Sequence, residues 1–222
     1  MNRLFFNIVF CLALPTALLG QVNDAGLWTS IDLQTDISKR FNVDANVELR
    51  FNENISELGT IYGETSLGYK FNKSLEFSAG YRLIGKRRLD DSYSARHRML
   101  FNVSYRKKIK KITTTFRVRY QTQFTDINRS ADWRVPEEYL RTKIAIKYDT
   151  DKKWTPFFSG ESFYRIGVDP GIVFNEYRLS AGVDYDFNKK SGITLAYIFD
   201  REVQVEDPWT NYVVSLGWKY RF

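Results

Sequence analysis

Apolar and polar residues take turns along this chain at a period of two, and no other feature limits its fold so tightly. In Val43-Asp44-Ala45-Asn46-Val47-Glu48-Leu49-Arg50-Phe51-Asn52 the odd positions are apolar and the even ones polar or charged. On a strand these sets fall on opposite faces. On a helix the same row would spread charge around the whole cylinder. The pattern recurs. Ile31, Leu33 and Ile37 stand against Asp32, Gln34 and Asp36; Leu67, Tyr69 and Phe71 against Glu64, Ser66 and Lys70. Phe77, Ala79, Tyr81 and Leu83 stand against Glu76, Ser78 and Arg82; Met99, Phe101, Val103 and Tyr105 against Arg98, Asn102 and Ser104. Phe116, Val118 and Tyr120 oppose Arg117, Arg119 and Gln121; Ile144 and Ile146 oppose Arg141, Lys143 and Lys147. Leu179, Ala181 and Val183 oppose Glu176, Arg178 and Asp184; Val214, Leu216 and Trp218 oppose Ser215, Lys219 and Arg221. Two further strands, over residues 157–165 and 193–200, alternate less cleanly. The chain is therefore read as all-β, a single antiparallel barrel over residues 21–222.

Alternation alone does not say which face is inside. A soluble ligand-binding barrel turns its apolar face inward, whereas a membrane barrel turns it to lipid. The alternating runs are about ten to thirteen residues long, near the roughly 9 to 11 that cross a bilayer at a tilt. Aromatics are 16% of the chain, and Phe51, Tyr69, Phe71, Tyr105, Tyr148, Tyr185, Phe187 and Tyr220 fall near strand ends on the apolar face. Amphipathic rings favour the headgroup level. The C-terminus, Trp218-Lys219-Tyr220-Arg221-Phe222, alternates aromatic with basic and stops on Phe. It resembles the signal by which outer-membrane proteins are handed to the barrel-assembly machinery. Residues 1–20 read as a secretory signal peptide, with Arg3 before an apolar stretch from Leu4 to Leu19 and cleavage after Gly20. The one cysteine, Cys11, lies inside that stretch, so the mature chain has no thiol for disulfides, catalysis or metal. These features predict a transmembrane β-barrel in the outer membrane of a Gram-negative envelope.

The chain also resembles a bacterial family of predicted outer-membrane barrels, domain of unknown function 2490. The resemblance lies in Leu27-Trp28, Arg96-His97-Arg98, Phe116-Arg117-Val118-Arg119-Tyr120, Gly160-Glu161-Ser162-Phe163 and Asn175-Glu176-Tyr177-Arg178-Leu179 before Gly182. It implies an outer-membrane barrel and no established activity, substrate or cofactor, so it carries over no functional residues.

In a membrane barrel the polar phase fills the lumen. Glu48, Arg50, Glu64, Glu76, Arg82 and Arg98 take it in the first half of the chain, and Arg117, Arg119, Arg141, Glu161, Arg165, Glu176 and Arg178 in the second. Arg and carboxylate pair through matched forks, so these residues predict an ion-pair network standing in for an apolar core. The sharper reading is a permeation path, porin-like, in which the arginine excess favours anions. His97, the one histidine, falls on the apolar phase between two arginines. Ser94 or Ser104 could serve it as a nucleophile in a lipid-modifying enzyme, but neither spacing marks a catalytic pair. Asp90-Asp91 lacks the spacing of a calcium loop. Trp133 and Trp209 stand in or beside loops, where local packing is the plainer account. No phosphate-cradling loop or nucleophile elbow occurs. No cofactor or metal is expected.

The net charge of +7 raises nucleic acid as a partner, but the cations are interleaved with Asp and Glu. Their one run, Arg106 to Lys111, reads as a solvated turn. The expected partners are outer-membrane lipid, lipopolysaccharide and the assembly machinery. Short turns are predicted at 39–40, 72–74, 106–111, 149–153 and 188–190, and longer loops at 53–59, 87–94, 126–136, 166–173 and 202–208. About eleven strands emerge, whereas single-chain bacterial barrels have even counts. Twelve is therefore the expected number and ten the next. Three classes of function remain: a structural or transport barrel, a membrane-embedded lipid enzyme, and a secreted barrel holding an apolar ligand.

Overall fold

A computed structural model describes residues 22–125, 137–168, 171–205 and 207–222. The expected signal peptide and the whole loop over 126–136, Trp133 included, lie outside the described residues. Eleven strands follow one another: β1 (Val22–Asp36), β2 (Phe41–Asn52), β3 (Glu57–Lys70), β4 (Leu75–Arg87), β5 (Tyr93–Ile109), β6 (Ile112–Thr125), β7 (Glu137–Tyr148), β8 (Trp154–Val168), β9 (Gly171–Asp186), β10 (Ser191–Glu202) and β11 (Trp209–Arg221). Each pairs antiparallel with its neighbours in sequence, and the sheet closes on itself.

The strand count corrects the expected twelve. Among the described residues there are eleven, and the parity problem is solved at the seam. An up-and-down ring with an odd number of strands must bring one parallel pair together. Here β1 lies parallel to β11 in continuous register from Val22 opposite Trp209 to Gln34 opposite Arg221. Parallel pairing is slightly weaker per residue. Side chains reinforce its end: Arg221 donates from Nε to Gln34 Oε1 at 3.0 Å, and Phe222 N donates to Gln34 O at 3.0 Å. Residues 22–26 belong to the wall, as the first residues of β1.

The turns at one rim are tied by side chains. Asn72 Oδ1 accepts from Ser74 N and Leu75 N, each at 2.8 Å, and Asn188 Oδ1 accepts from Lys190 N and Ser191 N at 2.8 and 2.9 Å. Ser38 Oγ accepts from Phe41 N at 3.0 Å. These caps satisfy amides that leave the ladder. At the other rim two expected loops contract. β3 begins at Glu57, and β8 and β9 run to Val168 and from Gly171. The basic run also differs from expectation: Arg106 to Ile109 extend β5, leaving Lys110 and Lys111 as the turn.

The pleat sends the apolar phase outward. Val47, Leu67, Phe101, Ile144, Leu195 and Leu216 are each about half exposed, and such residues stand on the outer face of strand after strand. Aromatic pairs mark both rims of that face. Phe41–Tyr69, Tyr185–Phe187 and Tyr220–Phe222 lie toward the turns, with centroids 5.1, 5.5 and 5.0 Å apart. Tyr164–Phe174 and Phe199–Tyr212 lie toward the loops, each 5.5 Å apart. Inside, Trp28, Ile198 and Val213 form a small apolar cluster beside the seam, and Tyr62, Ile84, Leu100 and Phe163 are buried elsewhere along the wall.

Candidate functional site: a charged lumen

The polar phase converges on the barrel axis. Three rows of directly opposed residues run across it. One reads Asn46, Glu64, Arg82, Arg98, Gln123, Glu137 from β2 to β7. A second reads Asn102, Arg119, Arg141, Phe163, Glu176 from β5 to β9. The third reads Arg117, Lys143, Glu161, Arg178, Asp200 from β6 to β10.

Most of the residues singled out in the sequence meet here. Arg50 Nε donates to Glu48 at 2.6 Å, and Arg82 Nε to Glu64 Oε2 at 2.6 Å. Glu161, 6% exposed, accepts from Arg117 at 2.8 Å and from Arg141 Nε at 3.0 Å. Arg178 bridges Glu176 at 3.2 Å and Asp200 at 2.5 Å. Arg119 Nε donates to Asn102 Oδ1 at 2.6 Å and reaches Glu64 at 3.9 Å, a contact between β6 and β3 across the lumen. Arg98 is held by Gln123 Oε1 at 3.1 Å. Two residues are not drawn in. Glu76 sits at the turn end of β4 and Arg165 is exposed at the loop end of β8, neither in an ion pair among the described residues.

Aromatic rings slot between the guanidinium groups. Arg50 lies 3.7 Å from the Trp28 ring and 5.3 Å from Tyr62, with Arg82 3.9 Å from Tyr62. Arg178 lies 4.9 Å from Trp28 and 5.1 Å from Phe163, and Arg141 lies 4.2 Å from Phe163. Cations and rings thus alternate from Arg82 to Arg141. Such contacts gain strength when desolvated, and the planar guanidinium suits stacking as an ammonium does not. Trp28, Tyr62, Phe163 and Asp200 were not among the sequence candidates. Their signal was phase: Tyr62 shares its face with Glu64, and Phe163 with Glu161.

The charges are segregated. Inward residues of β4–β7 are dominated by Arg82, Lys86, Arg96, Arg98, Arg117, Arg119, Arg141 and Lys143, with Glu137 among them; those of β8–β11 and β1–β3 set Asp32, Asp44, Glu48, Glu64, Glu161, Glu176, Asp184 and Asp200 against Arg50, Arg178 and Lys219. Arg82 opposes Arg98, Arg119 opposes Arg141, and Arg117 opposes Lys143. Like charges so placed repel. One cavity of about 1590 Å³ runs between the walls, lined by Glu53 and Asn54 at the loop rim and by Asn188 and Lys189 at the turn rim.

His97 points outward, its Nδ1 bonded to the Tyr81 hydroxyl. Ser94 and Ser104 belong to the inward phase of the same strand, and Ser94 Oγ donates to Lys86 O at 3.3 Å. The structure does not bring these groups together. Asp90 accepts from Ser92 Oγ at 2.6 Å, and Asp91 pairs with Arg87 at 2.6 Å. Among the described residues no three His, Cys, Asp or Glu side chains are grouped to hold a metal ion.

Fold and lumen together define a class: a closed, odd-numbered β-barrel with an apolar exterior and a charged interior. The sequence model of the family described as protein of unknown function (DUF2490) matches residues 25–211, and the chain belongs to that family. No curated protein matches it.

Proposed function

We propose that this chain is an outer-membrane β-barrel whose lumen is a narrow passage for small charged solutes. One observation carries the reading: an apolar band faces outward all around the ring, while a charged cavity reaches both rims. The arrangement is costly in water, where a large exposed apolar surface drives association, and favourable in lipid. Strands of 12 to 17 residues are long enough to cross a bilayer, and the two rims of aromatic pairs fit the headgroup levels. The leader-like N-terminus and the Trp218, Tyr220, Phe222 row agree with export and with delivery by the barrel-assembly machinery. The surrounding partners are outer-membrane lipid and lipopolysaccharide.

Two measurements test this. On cell fractionation the protein enters the outer-membrane fraction, and its gel mobility shifts on boiling. Recovery in the soluble fraction without a shift sinks the membrane reading and favours a soluble barrel. In planar bilayers the purified barrel conducts ions.

A structural barrel without permeation is the second reading. The Arg119–Glu64 contact across the lumen and the stack from Arg82 to Arg141 favour it. A silent bilayer with folded protein decides for it.

A further inference from the structure

The segregation of charge gives the passage a direction across its axis. By the order of the ring, the wall of β5, β6 and β7 stands across from β10, β11, β1 and β2. On the first side Arg98 and Lys143 have no carboxylate within ion-pair distance among the described residues, and both line the cavity. On the other side Asp32 is exposed to the same cavity and accepts from Ser30 and Asn46, at 3.0 and 2.7 Å. Lys219 stands opposite it in the ladder, but its Nζ is bound to Asp184 and Asp186, so among the described residues Asp32 is in no ion pair. Cations and carboxylates meet at the borders between the two walls, Arg82 with Glu64 from β4 to β3 and Arg141 with Glu161 from β7 to β8. They also meet inside the second wall, Arg50 with Glu48 and Arg178 with Glu176 and Asp200. Arg98, Lys143 and Asp32 stand outside these pairs. A polar lumen with low-dielectric walls focuses such a field.

An ion of one sign gains at one wall and loses at the other. An uncharged polyol gains little at either. A solute with a carboxylate at one end and an ammonium at the other gains at both when it lies crosswise. We propose that the lumen selects small zwitterions of the amino-acid type, with the carboxylate toward Arg98 and Lys143 and the ammonium toward Asp32. This rests on the permeation reading above and names its substrate class.

The test is osmotic swelling of liposomes carrying the full-length mature barrel, with γ-aminobutyrate compared against erythritol. The zwitterion is expected to enter roughly tenfold faster, the lower end of what a focused field adds to encounter. Arg98→Gln with Lys143→Gln should cut that advantage several-fold while leaving erythritol entry unchanged, and Asp32→Asn should do the same from the opposite wall. The boiling-dependent gel shift verifies that each variant is folded. Equal rates for the two solutes overturn the inference and leave permeation standing. So does a preference that neither folded variant weakens. Failure of every solute to enter, erythritol included, overturns the permeation reading and the inference with it.

Discussion

Arg178 shows what a charge needs in order to sit inside this barrel. Two carboxylates hold it, Glu176 and Asp200, and two rings cover it, Trp28 and Phe163. Asp200 is 1% exposed. Removing one member of a buried pair strands the other, at about 3–5 kcal/mol. Asp200→Ala is therefore expected to lower stability by about that much in urea titrations of the detergent-folded barrel. A loss under about 1 kcal/mol would mean that water already compensates Arg178. A second site pulls the other way. Glu53, Asn54 and Ile55 all have positive φ, and Ile55 at 70° is β-branched. The strain is tolerated because Asp24 accepts from Glu53 N and Asn54 N at 2.9 and 2.7 Å, filling the concavity formed by these amides. Ile55→Gly relieves it and should raise stability by about 0.5–1 kcal/mol in the same titration. At this scale the sequence told which residues face inward wherever alternation was clean, as at Glu48, Arg50 and Arg82. It did not tell that Asp200 joins them, because β10 places Ala196 and Ile198 on its inward phase. Nor did it tell that rings sit among the arginines. An aromatic on the polar phase looks like a fault in the pattern until the ring meets a guanidinium from another strand.

At the scale of elements, each strand is specified by its own alternation and each short turn by its own cap. Phe71-Asn72-Lys73-Ser74 and Phe187-Asn188-Lys189-Lys190 are near repeats that make the same turn. Asn72→Ala removes both acceptor contacts and is expected to cost about 1 kcal/mol, read as a lowered urea midpoint. The turn after β7 is held by charge instead. The hydrogen bond from Lys108 Nζ, at 2.9 Å, holds the Asp149 carboxyl below its usual range. A carboxyl depressed on folding stabilises the fold above its unfolded value near 3.8, and the gain is lost as pH falls through the lower folded value. Asp149→Asn should therefore flatten a small acid-side loss of stability and change nothing at neutral pH beyond the screened surface pair. The sequence placed these turns well because Asn, Asp and Lys act locally. It drew the loops over 53–59 and 166–173 too long: Gly59, Gly167 and Gly171 take places in β3, β8 and β9. Pairing with a neighbouring strand overrides local preference.

For the whole molecule, pattern gave the barrel and topology gave its closure. Even-number reasoning expected a twelfth strand; the seam between β1 and β11 dispenses with it. No local signal announces a parallel pair, since register across 187 residues depends on the entire ring. The end of β11 offers a test of address against fold. Trp218, Tyr220 and Phe222 form one aromatic row on the outer face, with successive centroids 5.8 and 5.0 Å apart. Deleting Phe222 should reduce the boiling-sensitive barrel recovered from outer membranes several-fold, while refolding of the purified chain in detergent is unchanged. Equal losses in both would make the row a structural element only.

The parallel seam also decides where the chain can be cut and rejoined. In an even ring both termini emerge at one rim, and a few residues can splice them. Here β1 begins at the loop rim and β11 finishes at the turn rim. A circular permutant thus requires a linker as tall as the wall, about a dozen extended residues at roughly 3.3 Å each, routed through the lumen or along the apolar face. Under the proposed membrane reading, two epitope tags, one on each terminus, would report from opposite sides of the bilayer.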